Sequence, residues 1–193
     1  MEVEIRGKFN CSNELEEFVK KLYSIGKLKR HRHRFSVIFT TYNNEGIDLQ
    51  VRDYDLSLEV VLKKGEHTST QREEFNLKLS SNDFKTVVSF FYNLGFKEGV
   101  VAEAEDWLFE INNDFEVKAT TCDGKIFCWE IEALHNVKKE ALIEQSKKLN
   151  LCPMNEVEIA EYWKWMKKYA NKKFDIKTVF ALYEEYKSRI SQG

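Results

Sequence analysis

Charged and uncharged positions alternate over residues 2–8: Glu2, Glu4, Arg6 and Lys8 carry charge, while Val3, Ile5 and Gly7 do not. Successive side chains of a strand point to opposite faces, so this pattern predicts a strand with one charged and one apolar face. Glu130-Ile131-Glu132 repeats it, with Trp129 and Ile131 on the apolar side. Alternating or β-branched and aromatic runs predict further strands over 35–42, 49–53, 57–63, 72–79 and 100–110. Asn43-Asn44-Glu45-Gly46 is a turn signal, and Asp123-Gly124 between runs 115–122 and 125–132 is a hairpin signal.

Helical spacing separates these strands. Leu15, Phe18, Val19 and Leu22 share a face of a helix opened by Ser12 or Asn13 and ended by Gly26. Phe84, Val87, Val88, Phe91 and Leu94 share a face of a second, capped by Ser81 or Asn82 and closed by Gly95. Beyond the last strand the chain is helical: one helix over 137–149, a second opened by the capping box of Asn155 with Glu158, and a third capped by Asp175. Strands with interspersed and trailing helices predict an α+β fold with a mainly antiparallel sheet.

Composition narrows the function. Lys plus Arg number 30 against 32 Asp plus Glu among 193 residues, a net charge of -2, which argues against a general nucleic-acid binder. The basic run Lys27–Arg34 lacks interleaved aromatics and is expected as a solvated loop or strand edge, the alternative being a phosphate patch. Cys11, Cys122, Cys128 and Cys152 form no C-x-x-C pair, so neither a zinc site nor a disulfide framework is expected. The start of the chain has no apolar leader pattern and no stretch reaches membrane-spanning length, so the expected compartment is the cytoplasm.

The two Glu-x-Glu strands carry the chemistry. Four carboxylates brought together repel one another unless protons or a divalent cation neutralise them, so Glu2, Glu4, Glu130 and Glu132 are candidate ligands of a hard metal ion. Either strand alone is also what an ordinary half-buried strand shows. The charged faces can lie in water, or the sheet can curl so that they line a barrel interior.

The order of motifs resembles the CYTH family, the triphosphate tunnel metalloenzymes, which include class IV adenylate cyclases and thiamine triphosphatases. Its E-x-E-x-K strand is matched by Glu2-Val3-Glu4-Ile5-Arg6, with Arg in place of Lys. Its L-R-x-R strand is matched by Leu49-Gln50-Val51-Arg52, with the first Arg missing. Val60-Val61-Leu62-Lys63, Gly65 and Arg72-Glu73-Glu74 follow, then the helix end Leu94-Gly95-Phe96 and the closing Glu130-Ile131-Glu132. The chain departs from the pattern after that helix, where Ala102-Glu103-Ala104-Glu105 stands in place of a K-x-R pair, and at Thr120, where an Asp is common.

The resemblance implies an eight-stranded antiparallel barrel over 1–150, flanked by helices; the helical pattern of 151–193 is longer than that fold needs and is expected as a C-terminal extension packed on the barrel. It implies a phosphohydrolase of inorganic or organic triphosphates using Mg²⁺ or Mn²⁺, with Glu2, Glu4, Glu130 and Glu132 on the metal. Arg6, Lys8, Arg52, Lys63 and Arg72 would bind phosphate, and Glu130 and Arg52 would be catalytic. Lys118 joins them if the 123–124 hairpin has a three-residue turn including Lys125, and faces away if the turn has two residues. The alternatives are a class IV cyclase-like enzyme and a non-catalytic polyphosphate- or nucleotide-binding module. The expected partner is a small triphosphate or nucleotide, with no nucleic acid or membrane, and a monomeric or homodimeric protein.

Overall fold

The structure is a computed structural model, describing residues 4–39, 47–54, 57–65, 73–80, 83–135, 137–170 and 175–191, without the side chains of 163 and 165–170. Among the described residues the fold is α+β: an eight-stranded antiparallel sheet with five helices. In chain order these are β1 (Glu4–Lys8), α1 (Ser12–Ile25), β2 (Lys27–Phe39), β3 (Ile47–Tyr54), β4 (Ser57–Lys64), β5 (Glu73–Ser80), α2 (Phe84–Asn93), β6 (Gly99–Ile111), β7 (Phe115–Cys122), β8 (Ile126–Ala133), α3 (Lys139–Lys148), α4 (Glu156–Ala170) and α5 (Ile176–Ile190). The strand order is β1-β8-β7-β6-β2-β3-β4-β5. Among the described residues no helix is long and apolar enough to cross a membrane.

The chain divides into two compact units. The first is built mainly from Met1–Arg32 and Ala104–Ile159. Its core takes the apolar face of each strand, with Ile5 from β1, Val117 and Ala119 from β7 and Trp129 and Ile131 from β8. Leu15, Phe18, Val19 and Leu22 of α1 and Leu142 of α3 cover that face. These are the helix positions that the three-to-four-residue spacing puts on one side. Gly7 lets β1 lie against the Trp129 ring: a Cβ there would stand 2.4 Å from the indole. α1 begins at Ser12 with no side-chain cap; its first turn is tied instead by Glu14, which accepts from Asn10 N at 2.8 Å.

The second unit is built mainly from His33–His67, Arg72–Glu103 and Ala160–Gly193. Phe35, Val37 and Phe39 of β2, Leu49 and Val51 of β3 and Leu58 of β4 form its core with Phe84 and Val88 of α2 and Val179, Tyr183 and Tyr186 of α5. Tyr183 stacks on Phe84 with ring centroids 4.0 Å apart. Asp53 is fully buried at this layer and accepts from Tyr183 Oη at 3.0 Å and Lys187 Nζ at 3.3 Å. The N-terminal caps read from sequence for α4 and α5 are both present. Asn155 and Glu158 bond each other's backbone N–H at 2.8 and 3.0 Å, and Asp175 accepts from Thr178 N at 3.1 Å. The expected 43–46 turn and the Ser81 or Asn82 cap lie outside the described residues.

Candidate functional site

The face of β1, β8 and β7 opposite the first unit's core gathers most of the predicted site. Ladder register builds it row by row. Glu4 pairs with Glu132, and Glu132 with Glu116; on the far side of β7, Glu116 pairs with Glu110 of β6. The next row runs Arg6, Glu130, Lys118 and Leu108, and the third Lys8, Cys128, Thr120 and Asp106. One row is therefore four glutamates side by side on four neighbouring strands. Like charges directly opposite on a sheet destabilise it, so such a row calls for cations.

Those cations come from neighbouring rows and from β2. The Arg6 guanidinium bonds the Glu4 carboxylate. Lys118 Nζ donates to Glu130 Oε2 at 3.0 Å, both side chains being a little over a quarter exposed. Lys29 Nζ donates to Glu110 Oε2 at 2.7 Å, and that bond holds the Glu110 carboxyl below the ordinary range. Asp106, nearly buried, accepts from Thr120 Oγ1 at 2.8 Å and has Arg32 Nε 3.9 Å from its other oxygen.

Lys118 owes its place to the turn. Cys122 pairs with Ile126, leaving Asp123, Gly124 and Lys125 as a three-residue turn. Asp123 and Gly124 both take positive φ, 51° and 61°, a region that Asp and Gly tolerate. With this register Lys118 stands directly opposite Glu130 on the shared face; a two-residue turn would have put it on the core side.

The second unit has a polar face of its own. Arg52 Nε donates to Gln50 Oε1 at 2.9 Å, and Gln50 Nε2 to Asp48 Oδ1 at 2.9 Å, three residues in line along β3. Lys63 lies opposite Glu74 and pairs with it at 2.5 Å, while Asn76 Nδ2 donates to the other Glu74 oxygen at 2.9 Å. Burial pushes the Glu74 carboxyl up, but the Lys63 bond and charge, Asn76 and the Arg52 charge outweigh it, so the net shift is downward.

Of the residues singled out from sequence, Glu4, Glu130, Glu132, Arg6, Lys8 and Lys118 thus share one face of the first unit. Arg52 and Lys63 lie on the polar face of the second. Glu2 and Arg72 fall outside the described residues. Sequence reasoning passed over Glu110 and Glu116, which complete the glutamate row, although Glu116 has the same strand parity as Lys118. It also passed over Asp106 and Arg32. The basic run forms the start of an internal strand, β2, and its charges meet β6: Lys29 with Glu110, His31 Nε2 2.7 Å from Glu105 Oε1, Arg32 with Asp106. His31 also stacks on Trp107 at 5.0 Å. Ala104, where the family motif places a cation, pairs with Cys122 and is buried.

No family model matches the sequence, and no curated protein is detectably similar to it. Solved structures share its fold. The PH1012 protein from Pyrococcus horikoshii OT3 superposes with a TM-score of 0.64 at 17% identity, over 83% of this chain and 98% of that one. A conserved hypothetical protein from Pyrococcus furiosus gives 0.64 at 22% identity, over 79% and 92%. HpAC1 from Hippeastrum, described as an adenylyl cyclase candidate with a dominant triphosphatase activity, gives 0.58 at 13% identity, over 79% and 90%. At identities this low the superpositions establish a common fold and nothing beyond it.

Proposed function

We propose that this chain is a metal-dependent phosphohydrolase of the CYTH type, acting on inorganic or organic triphosphates. The observation that carries the reading is the face of β1, β8 and β7, where a row of glutamates borders a row of alternating cations and carboxylates. A sheet face that merely meets water has no need to align four glutamates across neighbouring strands.

In donor chemistry the residues of this face suit a hard divalent ion, although their carboxylates are not drawn together; among the described residues the metal-ligating side chains that already stand within 4.8 Å of one another are His31, His33 and Glu105. Glu4, Glu130 and Glu132 offer only carboxylate oxygens, the donors that Mg²⁺ and Mn²⁺ prefer. When bound, the ion supplies positive charge and Lewis-acid polarisation to phosphate oxygens. Arg6 and Lys118, which flank Glu130 in its own row, donate charge-assisted hydrogen bonds to the same polyanion. Fixed on strands, they offset the charge that builds on the leaving oxygen with little reorganisation. Arg52 and Lys63 carry the same phosphate-binding assignment on the second unit's polar face, and Glu130 and Arg52 are the groups assigned to catalysis. Phosphate release from tripolyphosphate, ATP and thiamine triphosphate, each with Mg²⁺, Mn²⁺ or chelator, tests the reading. Release from at least one that stops with chelator supports it; no release from any contradicts it.

A further inference from the structure

Without a ligand, the cations assigned to phosphate are already engaged. Arg6 is bonded to Glu4, and Lys118 Nζ lies 3.0 Å from Glu130 Oε2. Their partners are the same carboxylates that the donor chemistry assigns to a divalent ion. One carboxylate cannot serve both neighbours at full strength. We propose that this face works by exchange of ion pairs: Glu4 and Glu130 mask Arg6 and Lys118 until they coordinate a divalent cation, and only then do the two side chains turn to phosphate. The inference rests on the function proposed above and adds to it an order of events, in which metal binding unmasks the anion site.

The geometry suits an exchange rather than a permanent lock. All four side chains keep between 15 and 29% of their surface accessible, so an ion arriving from solvent can reach both pairs. Arg6 and Glu130 face each other across the β1–β8 ladder, and Lys118 faces Glu130 across β7–β8. A short side-chain swing therefore changes partners without moving a strand. Exchange also makes metal and anion help each other equally, since coupling between two binding equilibria is reciprocal.

Two experiments decide it. In the first, Lys118 is footprinted by amine acylation and mass spectrometry with Mn²⁺ alone. Lys118 should react severalfold faster with the ion, while Lys148, paired with Glu144 on the exposed face of α3, should not change. An unchanged Lys118 rate overturns the exchange, whatever the substrate proves to be.

In the second, tripolyphosphate binding is measured by calorimetry for the parent, Lys118→Met, Glu130→Gln and the double variant. Lys118→Met should cost the parent about tenfold in affinity with Mg²⁺, the scale of one charged hydrogen bond, and about twofold or less with chelator. Glu130→Gln should bind more tightly than the parent with chelator, and the double variant should lose that gain. If Lys118→Met costs the same with and without metal, Lys118 is never masked and the proposal fails. If the double variant keeps the gain, simple relief of repulsion explains it and the proposal fails. A parent that binds no tripolyphosphate under either condition contradicts the proposed function, and the Mn²⁺ footprint then still decides the exchange by itself.

Discussion

Asp53 anchors α5 to β3, and the two halves of that contact should respond unequally to mutation. The carboxylate is fully buried, whereas Lys187 keeps 29% of its side chain exposed. Lys187→Met preserves the apolar stem and removes the counter-charge, the ammonium whose Nζ lies 6.0 Å from the Tyr183 ring centroid. It strands a buried carboxylate with one fewer donor, a change that costs about 3–5 kcal/mol in comparable pairs. Asp53→Asn keeps an oxygen for the 3.0 Å bond from Tyr183 Oη and leaves Lys187, already part-exposed, to be hydrated. Its cost should be nearer about 1 kcal/mol, the net value of a single ordinary hydrogen bond. With a urea m-value of about 2 kcal/mol per M, the midpoint should fall by about 1.5–2.5 M for Lys187→Met and about 0.5 M for Asp53→Asn. Equilibrium urea unfolding followed by tyrosine and tryptophan fluorescence measures both. A midpoint loss for Asp53→Asn equal to or larger than that for Lys187→Met would refute the reasoning, because the lysine would then be the group unable to stand alone.

Gly7→Ala should lower the urea midpoint by an amount equivalent to about 1–3 kcal/mol, since its Cβ would meet the Trp129 ring at 2.4 Å and the sheet would have to shift; an unchanged midpoint would show that β1 has room to spare. Glu74, held below its ordinary carboxyl value by the Lys63 bond against the opposing effect of burial, contributes stability that is present above the unfolded value of 4.5 and lost as pH falls through its folded value. Glu74→Gln should therefore be less stable than the parent at neutral pH and lose less on acidification, and parallel pH–stability curves would exclude this. Tripolyphosphate with Mg²⁺ should raise the melting temperature of the parent, and Arg52→Ala should abolish the rise; an undiminished shift in the variant removes Arg52 from the phosphate site.

Much of the fold was legible because most strands face a core on one side only. Alternation in 2–8 and 57–63 located β1 and β4, and in 72–79 it located β5 although Phe75 and Leu77 on its apolar side stay exposed; the spacing of Leu15, Phe18, Val19 and Leu22 located α1. The basic run was less transparent. His31 and Arg32 read as solvent-facing until β6 is placed beside β2, since the carboxylates they meet lie more than seventy residues away in sequence. The same limit governed the site. Parity within a strand put Glu4 with Arg6 and Glu130 with Glu132, but parity cannot say which strands are neighbours. The joining of Glu116 and Glu110 to the glutamate row is a property of ladder register. Lys118 depended on a single residue of turn length, because one step of register exchanges the two faces of a strand. Glu103 and Glu105, in the stretch that stands in place of the family's K-x-R pair, are engaged by Arg189 and His31. Their parity puts them on the opposite face of β6 from Ala104 and Asp106.

The most direct measurement is phosphate release from tripolyphosphate by the parent and by Glu130→Gln, each with Mg²⁺ or Mn²⁺ and with chelator. That substitution preserves the shape of the side chain and removes one negative oxygen donor beside Arg6 and Lys118. The account predicts release by the parent only when a divalent ion is present, and a loss of about a hundredfold or more in the variant, equivalent to about 2.7 kcal/mol of transition-state stabilisation. A folded Glu130→Gln protein that releases phosphate as fast as the parent, or a parent equally active in chelator, would contradict it.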